Sequence, residues 1–167
     1  MRIRSACVMV AVALSATVLG AGTADATGPL SGTKVRNWQT GFVLGVAGNS
    51  MVGGAEVQYQ ADTGDLAQKW AIDPVTSSTF MLRNLNSDMC VTAVGGSGET
   101  LQQRPCDPRW DEQIFSMEVS SKANRYQLKN QANNLCLNPS NLGAPVNARV
   151  IACQTNNNYN THSFDVR

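Results

Sequence analysis

Apolar and polar residues alternate with a period of two in short runs along most of this chain. VQYQ (57–60), FMLRN (80–84), IFSMEV (114–119) and YQLKN (126–130) place side chains two apart on a common face, as a β-strand does. Clusters rich in Gly, Asn, Ser and Pro separate them: GNSMVGG, AVGGSGE and NPSNLGAP. Such clusters supply turns. No long stretch of helical periodicity follows residue 26. Many short strands punctuated by turn signals predict an all-β sandwich or barrel.

The alternation itself repeats. VRNWQTGFVLG from Val35, LRNLNSDMCVT from Leu82 and LKNQANNLCLN from Leu128 align without gaps, with starts 47 and 46 residues apart. Each opens aliphatic, basic, Asn, passes a polar turn carrying Gly41, Asp88 or Asn134, and ends in an apolar strand. The second half of each unit also matches. Val57-Gln58, Leu101-Gln102 and Ala148-Arg149 open a strand, and Asp62, Cys106 and Cys153 stand at its end. Gln68-Lys69-Trp70 then becomes Gln113-Ile114-Phe115 and His162-Ser163-Phe164. The copies run over about 34–76, 79–120 and 125–167. Threefold repetition favours a β-trefoil over a sandwich, because a fixed period of this length marks repeat architecture. An aromatic held at one place in all three copies reads as core, so Trp70, Phe115 and Phe164 are assigned there. By alternation Tyr59 also faces inward.

The copies pair the cysteines as well. Cys90 and Cys106 occupy the positions in copy two that Cys136 and Cys153 occupy in copy three; copy one has Val43 and Asp62 instead. The expected bridges are Cys90–Cys106 and Cys136–Cys153, each closing a short loop within its own copy.

The N-terminus reads differently. Arg2 and Arg4 precede the apolar run ACVMVAVALSATVLG, and Ala24-Asp25-Ala26 is a small-x-small cleavage signature. Residues 1–26 are therefore expected to be a secretory signal peptide, residues 27–33 a short linker, and 34–167 one domain. The protein is then secreted, which suits an even number of mature cysteines. Loss of two arginines and one aspartate with the leader takes the formal charge from +1 to zero. That excludes the basic footprint of a nucleic-acid binder, and no membrane partner is expected. The single histidine, His162, and the absence of C-x-x-C give no support to a metal site, and no cofactor motif occurs. A monomer is expected.

The repeats, the paired cysteines and the Q-x-W closing each unit resemble the ricin B-type lectin family, from about Lys34 to Arg167. The resemblance implies a β-trefoil with four strands per unit, six forming a barrel and six capping it as hairpins. It also implies a secreted, non-catalytic protein that binds a glycan or polysaccharide. In that family an Asp two residues after the first cysteine position accepts sugar hydroxyls; here Gly45, Thr92 and Asn138 stand there. The stacking aromatic two before the second cysteine position is replaced by Gln60, Arg104 and Ile151. The family's Gln two residues earlier persists as Gln58 and Gln102, with Arg149 in copy three. The Asn before Q-x-W is Ala67, Glu112 and Thr161. The sugar sites are thus degenerate while the scaffold persists.

Binding could be rebuilt from nearby groups. Copy three offers Asn138, Tyr159, Asn160 and His162, a set of neutral amides with one aromatic that suits a neutral glycan. Copy two offers Trp110 in the PRWDEQ loop together with Gln102 and Gln113, and copy one offers Gln58 and Gln68. Trp38 lies in the first turn of copy one. The competing reading is a trefoil turned to binding or inhibiting a protein partner through loops such as GNSMVGG. An enzyme is not expected: Asp107, Asp111 and Glu112 crowd one surface loop, and His162 lies in an Asn-rich segment ill suited to hold a catalytic geometry.

Overall fold

The structure is a computed structural model that describes residues 30–119, 125–153 and 162–166. Each copy contributes four strands. In copy one they are β1 (Leu30–Asn37), β2 (Val43–Val46), β3 (Val57–Gln60) and β4 (Trp70–Pro74). Copy two has β5 (Thr79–Asn84), β6 (Cys90–Thr92), β7 (Gln102–Arg104) and β8 (Phe115–Val119). Copy three has β9 (Tyr126–Asn130), β10 (Cys136–Pro139), β11 (Val146–Ile151) and β12 (His162–Val166).

First and fourth strands pair in a closed ring, β1–β4–β5–β8–β9–β12 and back to β1, every pair antiparallel. The second and third strands form hairpins: β2–β3, β6–β7 and β10–β11. These meet over one end of the barrel, through β3–β11 pairing and the bridges Glu56↔Gln102 and Thr100↔Arg149. This is a β-trefoil, and closure leaves the barrel without a free sheet edge. β1 starts inside the stretch assigned above to a linker. Leu30 and Thr33 pair with Ile72 and Trp70 of β4, and LSGT is too polar to announce itself by alternation.

The threefold motif has a mechanical reason. Val35, Leu82 and Leu128 fill the core, as do Tyr59, Trp70 and Phe115, all fully buried; Phe164 packs against that core half-buried. The Trp70 indole donates to Leu44 O at 2.9 Å, which settles the one polar group a buried Trp brings. The Asn that follows each aliphatic-basic pair is buried. Asn84 Nδ2 donates to Ala67 O, and Asn130 Nδ2 to Glu112 O, so these two clamp the turns that precede Trp70 and Phe115. The turn residues Gly41, Asp88 and Asn134 all take positive φ, near +60 to +73°, a conformation open to Gly, Asp and Asn.

The disulfides Cys90–Cys106 and Cys136–Cys153 join the expected partners. In copy one an ion-pair cluster stands at the second cysteine position. Asp62 accepts from Lys34 Nζ at 2.6 Å and Arg36 Nη2 at 2.8 Å. These two cations hold its carboxyl down at about 2.

Candidate functional site

The three sites implied by the repeats differ in what fills them. In copy one, Gly45 is paired with Gln58 across β2–β3. A Cβ at Gly45 would collide with Gln60 Nε2 and stand 3.0 Å from Gln68 Cγ. The Gln60 side chain lies where a longer residue at 45 would point, its amide directed to Val46 O at 3.4 Å. Gln58 is engaged with a neighbouring copy, Nε2 donating to Asn147 Oδ1 at 2.8 Å. Copy one is plugged by its own glutamine.

Copy two is open. Thr92, Val94, Arg104, Trp110 and Glu112 line a cavity of about 310 Å³. Thr92 comes from the end of β6 and Arg104 from the end of β7, facing strands of one hairpin. Trp110 and Glu112 come from the loop that leads back to the barrel. That loop is held at several points. Gln113 is fully buried; its Oε1 accepts from Asp107 N at 2.8 Å, and its Nε2 donates to Pro105 O at 2.9 Å and Thr92 Oγ1 at 3.1 Å. Glu112 O accepts from Ala93 N at 2.9 Å. Arg109 grips Asp107 with Nε–Oδ1 at 2.8 Å and Nη2–Oδ2 at 2.6 Å, which brings the Asp107 carboxyl down to about 2. The Cys90–Cys106 bridge fastens the start of the loop to β6. Within this frame the Trp110 ring stays 44% exposed, and Arg104 Nη2 donates to Gln102 Oε1 at 3.3 Å.

Copy three carries Asn138 at this place. Asn138 is buried, with Nδ2 on Pro139 O at 2.9 Å and Oδ1 without a hydrogen-bond partner. Arg149, its register partner across β10–β11, has a buried Nε in the same state. Tyr159 and Asn160, expected to complete this site, lie outside the described residues. His162 is fully buried, its Nε2 hydrogen-bonded to the Tyr59 hydroxyl and its ring stacked on that phenol; burial pushes the phenol's pKa well above its ordinary value.

The sequence-predicted residues therefore separate. Gln68, like Gln113, is buried and spends its amide on the backbone: Oε1 accepts from Thr63 N at 2.9 Å and Gly64 N at 3.2 Å, and Nε2 donates to Ala61 O at 2.7 Å. Trp110 lines the open cavity beside Gln102's partner Arg104. Thr92, Arg104 and Glu112 read in the sequence as replaced family positions, yet they surround the cavity. The available signal was their coincidence in one copy with an indole six residues beyond Arg104.

An exposed indole, a carboxylate, a guanidinium and a hydroxyl thus surround one cavity of a β-trefoil. The model of the family described as ricin-type beta-trefoil lectin domain-like matches residues 18–104, and the chain belongs to that family. No curated protein matches the chain in sequence. Among solved structures it is similar to a designed 3-fold symmetric protein, ThreeFoil, with TM-score 0.74 and 16% identity, covering 79% of this chain and 96% of that one. It is similar to an exo-beta-1,3-galactanase from Clostridium thermocellum (TM-score 0.74, 15% identity), over 82% of this chain but only 30% of the enzyme. The earthworm R-type lectin C-half, solved with GalNAc, matches at TM-score 0.65 and 15% identity, covering 82% and 99%. At such identities the likeness concerns the fold.

Proposed function

We propose that this protein is a secreted, non-catalytic carbohydrate-binding protein that takes a glycan or polysaccharide end in the copy-two cavity. The observation that carries the reading is that cavity itself, with Trp110, Glu112, Arg104 and Thr92 around it. The Trp110 face stacks on the apolar side of a sugar ring. Glu112 replaces the family's aspartate as acceptor, from the loop wall and not from β6; a carboxylate accepts two hydroxyls at once. Arg104 donates to ring hydroxyls where the family has an aromatic. A few well-placed polar groups around an apolar face are how small-ligand pockets fix orientation. Copy one, plugged by Gln60, contributes no site.

The test is a pull-down of the folded, disulfide-intact protein on insoluble polysaccharides, followed by competition with a panel of soluble sugars. Binding that a simple sugar competes away, and that Trp110→Ala abolishes, supports the reading. Silence across the panel, or binding indifferent to Trp110→Ala, refutes it and turns attention to protein partners.

A further inference from the structure

The three copies carry one basic residue at the same place, next to the buried Asn: Arg36, Arg83 and Lys129. In copy one Arg36 pairs with Asp62. In copy two Arg83 reaches Asp73 at 2.6 Å and Asp88 at 2.6 Å. Copy three breaks the pattern. The turn residue equivalent to Asp88 is Asn134, with the same φ of +59° but no charge. Among the described residues no carboxylate pairs with Lys129. Instead Lys129 lines a separate cavity of about 200 Å³ with Thr79, Ser116, Asn130, Gln131 and Asn134. Every other lining residue carries a hydroxyl or an amide; the counterpart of Asp73, Glu118 on β8, is exposed and is not part of the lining. The Asn130 amide nitrogen is already spent on Asp111 O, Glu112 O and Ile114 O, so the groups able to face an anion are those of Lys129, Thr79, Ser116, Gln131 and Asn134.

We propose that this cavity is an oxyanion site, taking a carboxylate or a sulfate ester, and that the bound anion does for Lys129 what Asp62 does for Arg36 and Asp88 for Arg83. It shares no lining residue with the copy-two cavity and does not depend on the function proposed there. A glycan carrying uronic acid or sulfate would supply the group, and so would a free inorganic anion. An ammonium at such a site makes a charge-assisted bond to oxygen, stronger than a neutral one.

The decisive variant is Asn134→Asp, which rebuilds the copy-two pairing inside the chain and fills the site with the protein's own carboxylate. Amide NMR shifts would be followed during titration with inorganic sulfate, and separately with a uronate oligosaccharide. Expected are saturable shifts at Ser116, Lys129, Gln131 and Asn134, weakened about tenfold or more by Lys129→Met and lost in Asn134→Asp, while residues 92–94 and 110–112 stay still in the sulfate titration. Saturation by sulfate alone identifies a small-ion site; tighter saturation by the oligosaccharide identifies an acidic saccharide. No saturable shift with either probe, or binding that survives Asn134→Asp, overturns the proposal.

Discussion

Gln68 and Gln113 hold equivalent places, and Gln113 stands behind the copy-two cavity through its bond to Thr92, so the pair separates scaffold from site. Each side chain makes three hydrogen bonds: Gln68 to Thr63 N, Gly64 N and Ala61 O, Gln113 to Asp107 N, Pro105 O and Thr92 Oγ1. At ~1 kcal/mol net per bond, truncation to alanine costs about 3 kcal/mol. The loops they hold are mostly exposed, so water recovers part, leaving roughly 2–3 kcal/mol. For a domain of this size that is a fall in Tm of about 10 °C. Both Gln68→Ala and Gln113→Ala should show it by circular dichroism. Only Gln113→Ala should also weaken sugar binding, by up to about tenfold, because the loop carrying Trp110 and Glu112 must then be ordered on binding. Calorimetric titration with the best sugar from the panel measures this. Equal loss of affinity in both variants, or an unchanged Tm in Gln113→Ala, would refute the reasoning.

Other perturbations test other links. Trp70→Ala should cost ~3–5 kcal/mol for the emptied core and leave Leu44 O without its indole donor; urea unfolding of unchanged midpoint would contradict the core assignment. Asp62 has a carboxyl depressed to about 2 by Lys34 and Arg36. Its contribution is fully present above the unfolded value near 4 and is lost as pH falls through 2, so Asp62→Asn should cost ~1 kcal/mol at neutral pH and nothing at the acid end. Urea titrations across that range decide it. Reducing the two disulfides should lower stability by ~2–4 kcal/mol for each bridge, read as a drop in Tm on adding reductant.

The scaffold was legible in the sequence because repetition supplies its own control. An Asn, a turn residue and an aromatic recurring at one spacing point to shared geometry, and the same argument paired the cysteines. Tyr59 was legible from alternation alone. The location of the open cavity was not. Gly45 and Thr92 look like equal losses of one carboxylate, but the outcome depends on side-chain paths. Gln60 folds back over Gly45, whereas Arg104 extends along β7 toward Gln102 and leaves the space beside Trp110 open. His162 reads in the sequence as the stand-in for the Gln of Q-x-W, grouped with Asn138, Tyr159 and Asn160; its burial against Tyr59 comes from a residue 103 positions away, which no local pattern carries. That no carboxylate among the described residues pairs with Lys129 stands out only beside the ion pairs of the other two copies.

The central claim is that a neutral sugar enters the copy-two cavity and not the equivalent places of copies one and three. The chain has three tryptophans, so its indole N–H signals form a small, assignable set. A titration of the folded protein with the competing sugar, followed at those signals, should shift Trp110 together with the backbone amides of Thr92, Val94, Arg104 and Glu112, and leave buried Trp70 in place. Movement confined to Trp38, or to residues of copy one or copy three while Trp110 stays still, would contradict it.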